Sequence, residues 1–445
     1  MLRPSFRVPV ARPALLLTVT VLVLTVGATP RHAAPAPIQI TVGGCWSDPL
    51  QGGAFVRIAQ GFNKVQSAIH VKGVRGMGTT AVLAGVSAGN PPDVYFDCST
   101  SDLPQWAASG YALNLDPYIR QAHFDMNTII PSARAFTTYN GHVYAMPLLE
   151  DTFMLIYNKK MFAAAGITRP PATIQEMTAD ALKLTKKDAH GRLTQLGWAP
   201  TLYGGDYVGT WLPVYVTMFG GSLADPSGKR VTANCAACVA ALRWETGYIK
   251  AVGATEMDRF TSNANNTEYS PANLLFTNKL AMVINGEYWT GMVKAYARKG
   301  FQWGNVPLPY PANRPDLANS GMAGGNPGTI MKGSKHPLEA FKFLTYMESV
   351  GPTVAFANAI HNVPQLFVAL KSPKLDRNAH YRAFVKYAQG PKIRSFPVLP
   401  VSADYADQLT RIEDLVVHGK MSPQAGLNKV TTVIQQKLDQ FRSGI

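Results

Sequence analysis

The chain has 445 residues, 47% of them hydrophobic, and its 38 glycines and 32 prolines are scattered rather than clustered. That is enough apolar surface for two or three ordinary cores, and it excludes a disordered or collagen-like chain. The formal charge is +15, from 42 basic and 27 acidic residues, but no run of Lys and Arg exceeds two, as at Lys159-Lys160 and Lys186-Lys187, so a nucleic-acid groove has no support.

Arg3, Arg7 and Arg12 precede an apolar run from Ala14 to Val26 that ends in the small-residue site Val26-Gly27-Ala28. The pattern predicts a secretory signal peptide over residues 1–28. Thirteen residues fall short of the roughly 20 that a spanning helix needs. The mature protein is therefore expected in a periplasm or on the outer face of a cell membrane. Cleavage removes three arginines and no acid and leaves a charge of +12. Val42-Gly43-Gly44-Cys45 loosely imitates a lipoprotein cleavage box, but it follows a Pro-rich segment and lies inside a strand pattern, so lipidation of Cys45 is not expected.

Four cysteines in an exported chain point to disulfides before ligands or nucleophiles. Cys235 and Cys238 form a CAAC spacing that opens a helical pattern, and a local staple is expected there. Cys45 and Cys98 each end an apolar strand, so they pair if those strands lie near each other in one sheet. No second CxxC completes a zinc site, and neither metal nor cofactor is expected.

From Ile38 to Cys98 the elements alternate. IQITV is a β-branched run, Gly53 to Val65 has helical spacing, AIHVKGV is extended, Thr80 to Gly89 is helical, and DVYFD follows a Pro-Pro break. Such alternation predicts an α/β fold with a parallel sheet under covering helices. Ligands of these sheets bind at the carboxyl ends of strands, which makes Trp46, Ser47 and Asp97 candidates. Next come an extended run through Tyr144–Pro147, a strand at Phe153–Tyr157, a short helix ending near Gly166, and a helix capped by Thr173 with Glu176 three residues on.

This stretch, GHVYAMPLLEDTFMLIYNKKMFAAAGITRPPATIQEMTADALKLT, resembles the lobe-crossing segment of family 1 extracellular solute-binding proteins, the maltose-binding-like receptors of ABC sugar importers. Three further blocks agree in order: LLFTNKLAMVINGEYW with the family's NGxW turn, GGNPGTIMKGSKHPLEAFKFL with its Gly-Gly strand, and HGKMSPQAGLNKVTTVIQQKL with its closing helices. The resemblance implies a two-lobe periplasmic-binding-protein-like fold with discontinuous lobes joined by hinge strands. One lobe would hold residues 38–148 and 312–359, the other 149–311 and 360–445. Apolar alternation around Leu148 and Pro309 reads as two extended crossings. The lobes would close on a ligand by hinge motion, and a monomer working with ABC permease subunits is implied.

A sugar site needs aromatic platforms for C–H faces and side chains that bond hydroxyls. Trp46 stands where the family's opening motif often carries an aromatic. Tyr288 falls on the aromatic position of the NGxW turn, with adjacent Trp289 as its alternative. Glu150 and Asp151 offer carboxylates at the lobe crossing. LYGGDYVGTW supplies Tyr203, Asp206, Tyr207 and Trp211, of which Tyr207 and Trp211 are carried forward as ligand contacts. Gly324, Gly325 and Asn326 match the Gly-Gly strand, where absent side chains let backbone amides approach a ligand. Arg394 resembles an Arg-bearing segment before the last helices.

Two other functions compete. A glycosidase needs an acid and a base roughly 5 to 9.5 Å apart across the bond, whereas adjacent strand residues such as Glu150 and Asp151 point to opposite faces. No HExxH or P-loop occurs, so an enzyme is not expected. An anionic ligand such as a glycerophosphodiester would suit the +12 charge, with Arg394 as its candidate clamp.

Overall fold

In the computed structural model, residues 36–202 and 209–443 are described. The region predicted as a signal peptide, and Tyr203, Asp206 and Tyr207, lie outside them. Twelve strands occur in the described residues: β1 Ile38–Gly44, β2 Ile69–Arg75, β3 Val94–Phe96, β4 Thr138–Tyr139, β5 His142–Val143, β6 Met146–Asn158, β7 Lys186–Lys187, β8 Leu193–Trp198, β9 Leu280–Gly286, β10 Trp303–Val306, β11 Gly321–Ile330 and β12 Ile393–Ser395. Apart from the β4–β5 ribbon they form one mixed sheet in the order β2-β1-β3-β11-β6-β9-β8-β7, with β10 on β6 and β12 on β11.

The β-branched run of β1 pairs in parallel with both β2 and β3. The helix Gln51–Val65 crosses between them and buries Ala54, Phe55, Ala59 and Phe62 against the sheet. It starts two residues before the position expected from apolar spacing, because the Asp48 carboxylate accepts the N–H groups of Leu50 and Gln51 at 2.8 Å each and fixes the first turn. Thr173 and Glu176 form the reciprocal capping box of the helix Ile174–Leu184, with both bonds present.

Two cores flank the crossing. Ile40, Val42, Phe55, Val71, Phe96, Leu148 and Ile330 belong to the first. Leu155, Trp198, Tyr215, Leu242, Met282, Tyr405 and Ile434 belong to the second. The 13-residue β6 serves both. Its first half, Met146–Thr152, pairs with β11, and its second half, from Phe153, pairs with β9 and β10. Residues 150–153 are therefore the point where one half-sheet hands over to the other.

The crossing expected at Pro309 is not a strand. Pro307, Pro309 and Pro311 alternate there, and without N–H groups they cannot donate to a ladder; Tyr310 makes only an isolated bridge to Thr173. β11 makes the second crossing instead. A third runs through Val363, which exchanges both backbone bonds with Glu150, at 2.9 and 3.0 Å. Beyond it Leu366, Leu375, Tyr381 and Val385 pack in the first core, while Phe384 and Tyr387 of the same helix, Ala379–Ala388, pack in the second. The second lobe expected from the resemblance takes in residues 360–445, of which Leu366, Leu375, Tyr381 and Val385 share the first core.

Both disulfides expected from the sequence are present, Cys45–Cys98 and Cys235–Cys238. The first clips the end of β1 to the end of β3, where Cys45 N–H also donates to the Phe96 carbonyl at 3.1 Å. Cys45 thus has no thiol available for lipidation.

Candidate functional site

Where β6 passes between the half-sheets, a cavity of about 130 Å³ is lined from every side of the crossing: Cys45, Trp46, Ser47, Asp48, Gln51 and Cys98 from the first half, Phe153, Tyr269 and Tyr288 from the second, and Asp151, Asn326 and Asn362 from the crossing segments. Local chemistry explains each placement. Gly44 leaves room for Trp46 and Phe55 to meet, since a Cβ there would lie 2.9 Å from the Phe55 ring and 3.0 Å from Trp46. The Trp46 ring packs 5.4 Å from Phe55 and edge-on to Phe356 at 5.6 Å. Only 6% of the residue stays exposed, so Trp46 is both core and wall.

Opposite it, Tyr288 follows β9, and its ring lies back over Gly286, where a Cβ would collide with it. Trp289, one residue on, is fully buried against Phe276 and does not line the cavity. Trp211 stands behind the wall, edge-on to Phe153 at 5.1 Å, with its indole N–H donating to the Leu202 carbonyl at 2.7 Å.

The polar groups are set by strand parity and by a bulge. Glu150 and Asp151 pair with Gly325 and Gly324 on β11 and face opposite ways. Asp151 lines the cavity and accepts a hydrogen bond from the Asn362 amide. Glu150 is fully buried and takes the Ser132 hydroxyl at 2.5 Å on the other face. Gly324 and Gly325 do not line the cavity; a Cβ on Gly325 would run into the Phe136 ring and the Leu149 carbonyl, so that glycine serves strand packing. The β11–β6 register shifts between Gly325 and Pro327, and this irregularity turns Asn326 inward, where its amide donates to the Asp97 carbonyl at 3.2 Å. Asn362 follows His361, which ends its helix in the left-handed region at φ 65°. Among the described residues, Asn326 Oδ1 and Asn362 Oδ1 have no donor.

Asp97 is buried beneath the wall rather than on it; its carboxyl is held well above the usual range, first by burial and then by the neighbouring Asp102. Among the described residues, no lysine or arginine lines the cavity. Arg394 is exposed on β12 and lines a separate, larger groove of about 1290 Å³ with Ser132, Asp225, Asp316, Phe367 and Lys392. Phe367 is that groove's one ring face among the described residues, and Lys392 there is occupied by the carbonyls of Asp316 and Ala318. Burial without a cationic partner pushes the Glu150 carboxyl up to about 8. The native state then holds a proton that the unfolded chain has lost above about pH 4.5, so this group withdraws stability as pH rises from there to about 8. Glu150→Gln keeps the uncharged form, and its melting temperature is expected to fall less than that of the wild type between pH 5 and pH 9.

Residues 46–353 match the family of bacterial extracellular solute-binding proteins. The chain belongs to that family. Among curated relatives, the maltodextrin-binding protein MdxE of Bacillus subtilis (strain 168) is 23% identical over 362 residues, 79% of this chain and 78% of that protein. Among solved structures, CpMnBP1 with mannotriose bound superimposes with a TM-score of 0.80 at 25% identity, covering 89% of this chain and all of that one. The ABC substrate-binding protein Lmo0181 of Listeria monocytogenes, in complex with cycloalternan, shares the two-lobe fold with a TM-score of 0.73 at 20% identity over 91% of this chain and 99% of that one. Family membership places the working solute-binding protein outside the cytoplasm. No helix among the described residues is long and apolar enough to cross a membrane.

The sequence reading missed Phe153, Tyr269, Asn362, Asp48 and Gln51 as cavity residues. Asp48 and Gln51 had a usable signal, because a cap and first helical turn directly after a strand-end Trp must border whatever that Trp faces. Tyr269 and Asn362 had none, since both arrive from distant segments.

Proposed function

We propose that this solute-binding protein captures a neutral mono- or oligosaccharide by lobe closure and delivers it, as a monomer, to an ABC importer. The observation that carries the reading is the lining itself. Four rings, Trp46, Phe153, Tyr269 and Tyr288, share the lining with two carboxylates, Asp48 and Asp151, and two amide oxygens without a described donor. Rings suit the C–H faces of a sugar and the oxygens accept from its hydroxyls. The described lining holds Asp48 and Asp151 and no lysine or arginine, which favours a neutral ligand over a glycerophosphodiester. The mannotriose complex of CpMnBP1 and the maltodextrin-binding relative support a saccharide.

Within this reading the hinge is the three-segment crossing at β6, β11 and residues 361–366, and the lobes follow the two cores. Asp151 lines the cavity, and Glu150, bonded to Ser132 on the other face, cannot pair with it across one glycosidic bond, which argues against hydrolysis. A thermal-shift and calorimetric panel of mannobiose, mannotriose, maltose, maltotriose and a glycerophosphodiester tests the assignment. A neutral saccharide at a hundred times its Kd is expected to stabilise by about 2.7 kcal/mol, with no product released on incubation. A shift from the phosphodiester alone, lost in Arg394→Ala, or turnover abolished by one carboxylate change, would sink it.

A further inference from the structure

Glu287 is fully buried, yet it lies one residue past β9 and directly before Tyr288 of the cavity. β6 and β9 pair Phe153 with Gly286, so the next residue of each strand brings Glu287 alongside Thr152 and Asp151. Glu287 Oε2 accepts the Thr152 N–H at 2.8 Å. Glu287 Oε1 has no donor among the described residues, and the group beside it is the Asp151 carboxyl. Two neighbouring carboxyl groups, one of them fully buried, disfavour the doubly ionised state. Asp151 already receives the Asn362 amide and opens onto the cavity, whereas Glu287 is fully buried, so Glu287 is the better holder of the proton.

We propose that Glu287 is a protonated carboxylic acid that donates to Asp151 and thereby positions the Asp151 carboxylate for ligand hydroxyls. The claim rests on the carbohydrate reading for the ligand but not for the proton. No bond beyond O–H is made or broken: one proton stays between two carboxyl groups, and the pair carries a single negative charge.

The titratable neighbours fit this assignment. Burial, and then Asp151, hold the Glu287 carboxyl well above its usual range. From the helix Ala379–Ala388, Tyr381 and Arg382 face this region, and Tyr381 donates its hydroxyl to the Asn362 carbonyl at 2.8 Å. His361 stacks edge-on to Tyr381 and is bonded to Asp376, and Lys294 of the helix Trp289–Tyr296 acts on both. Glu268 is reached through the Asn285 amide at 3.4 Å. Glu150 feels the Asp151 charge from the far face of β6.

The test uses Glu287→Gln and Glu287→Ala in the full mature chain. Gln can still accept from Thr152 and donate to Asp151 without a titrating proton. Infrared spectroscopy of the ligand-free protein near neutral pH is expected to show the C=O stretch of a protonated carboxyl that is missing in Glu287→Gln; an unchanged band overturns the proposal. With mannotriose as probe, or maltotriose where that sugar binds instead, Glu287→Gln is expected to bind within about threefold of wild type and Glu287→Ala at least tenfold more weakly. Wild-type affinity should fall toward alkaline pH as the second charge appears, and that of Glu287→Gln should not. Equal pH slopes, or wild-type binding by Glu287→Ala, overturn the positioning role. If no neutral saccharide binds the wild type, the ligand class fails while the infrared band still decides where the proton sits.

Discussion

Replacing Trp46 by Ala is expected to cost the protein both affinity and stability, whereas replacing Tyr288 by Ala is expected to cost mainly affinity. Truncating an aromatic anchor in a desolvated site typically loses about 2 kcal/mol or more, and about 1.4 kcal/mol is tenfold in Kd. Both variants should therefore weaken saccharide binding by more than tenfold in calorimetry. Stability separates them. Trp46 packs on Phe55 and Phe356 in the first core, so Trp46→Ala also opens a hole of the kind that costs roughly 3 to 5 kcal/mol. Tyr288 is 8% exposed and seats its ring over the bare backbone of Gly286. Its loss should lower the melting temperature distinctly less. The sequence around Trp46 does not show this stability cost, because the edge-on partner of its ring, Phe356, lies more than 300 residues away. Unaltered saccharide affinity in both variants would remove the aromatic-wall account of the site.

What was legible depended on range. β1 to β3 and their helices announce themselves through period, and the Thr173–Glu176 box through a spacing of three, because those signals are local. Strand-end aromatics were legible for the same reason, since the carboxyl end of a strand in an α/β sheet is a place that can be named without knowing the tertiary fold. Parity was not. β6 is buried on both faces for nearly its whole length, so no polar alternation betrays which of Glu150 and Asp151 faces the cavity; the β11 register decides it. The Gly324-Gly325 pair suggests backbone approach to a ligand, but Phe136 fills the space that Gly325 leaves, a contact with no sequence signature. Asn362 is delivered by a left-handed helix end, and Arg394 is drawn to another groove by the pairing of β12 with β11. Each of these placements is a long-range packing outcome that no local sequence signal carries.

Opening the Cys45–Cys98 bond is expected to have the other large effect, on fold and site together. The bond spans 53 residues, and in the chain-entropy account a loop of that length constrains the unfolded state by about 4 kcal/mol. Cys235–Cys238 spans only three residues, for which the same expression gives under about 2 kcal/mol. Cys45→Ser with Cys98→Ser should therefore lower the unfolding midpoint well beyond the paired change at 235 and 238. Function adds a second distinction. Cys45 and Cys98 both line the cavity, next to Trp46 and beneath Asn326, and the clip fixes the end of β1 against the end of β3, where the Trp46 wall departs from the sheet. Without it, the ring must be ordered by the ligand instead of by the covalent frame, and that ordering is charged against affinity. The Cys235–Cys238 staple caps the helix Ala236–Val252 in the second core, away from the cavity, so its removal should leave Kd within error of wild type. Calorimetric titration and denaturant unfolding of the two double variants decide the matter: equal losses of stability, or a cavity-side variant that binds saccharide as tightly as the wild type, would show that the Cys45–Cys98 bond does not hold the Trp46 wall in place.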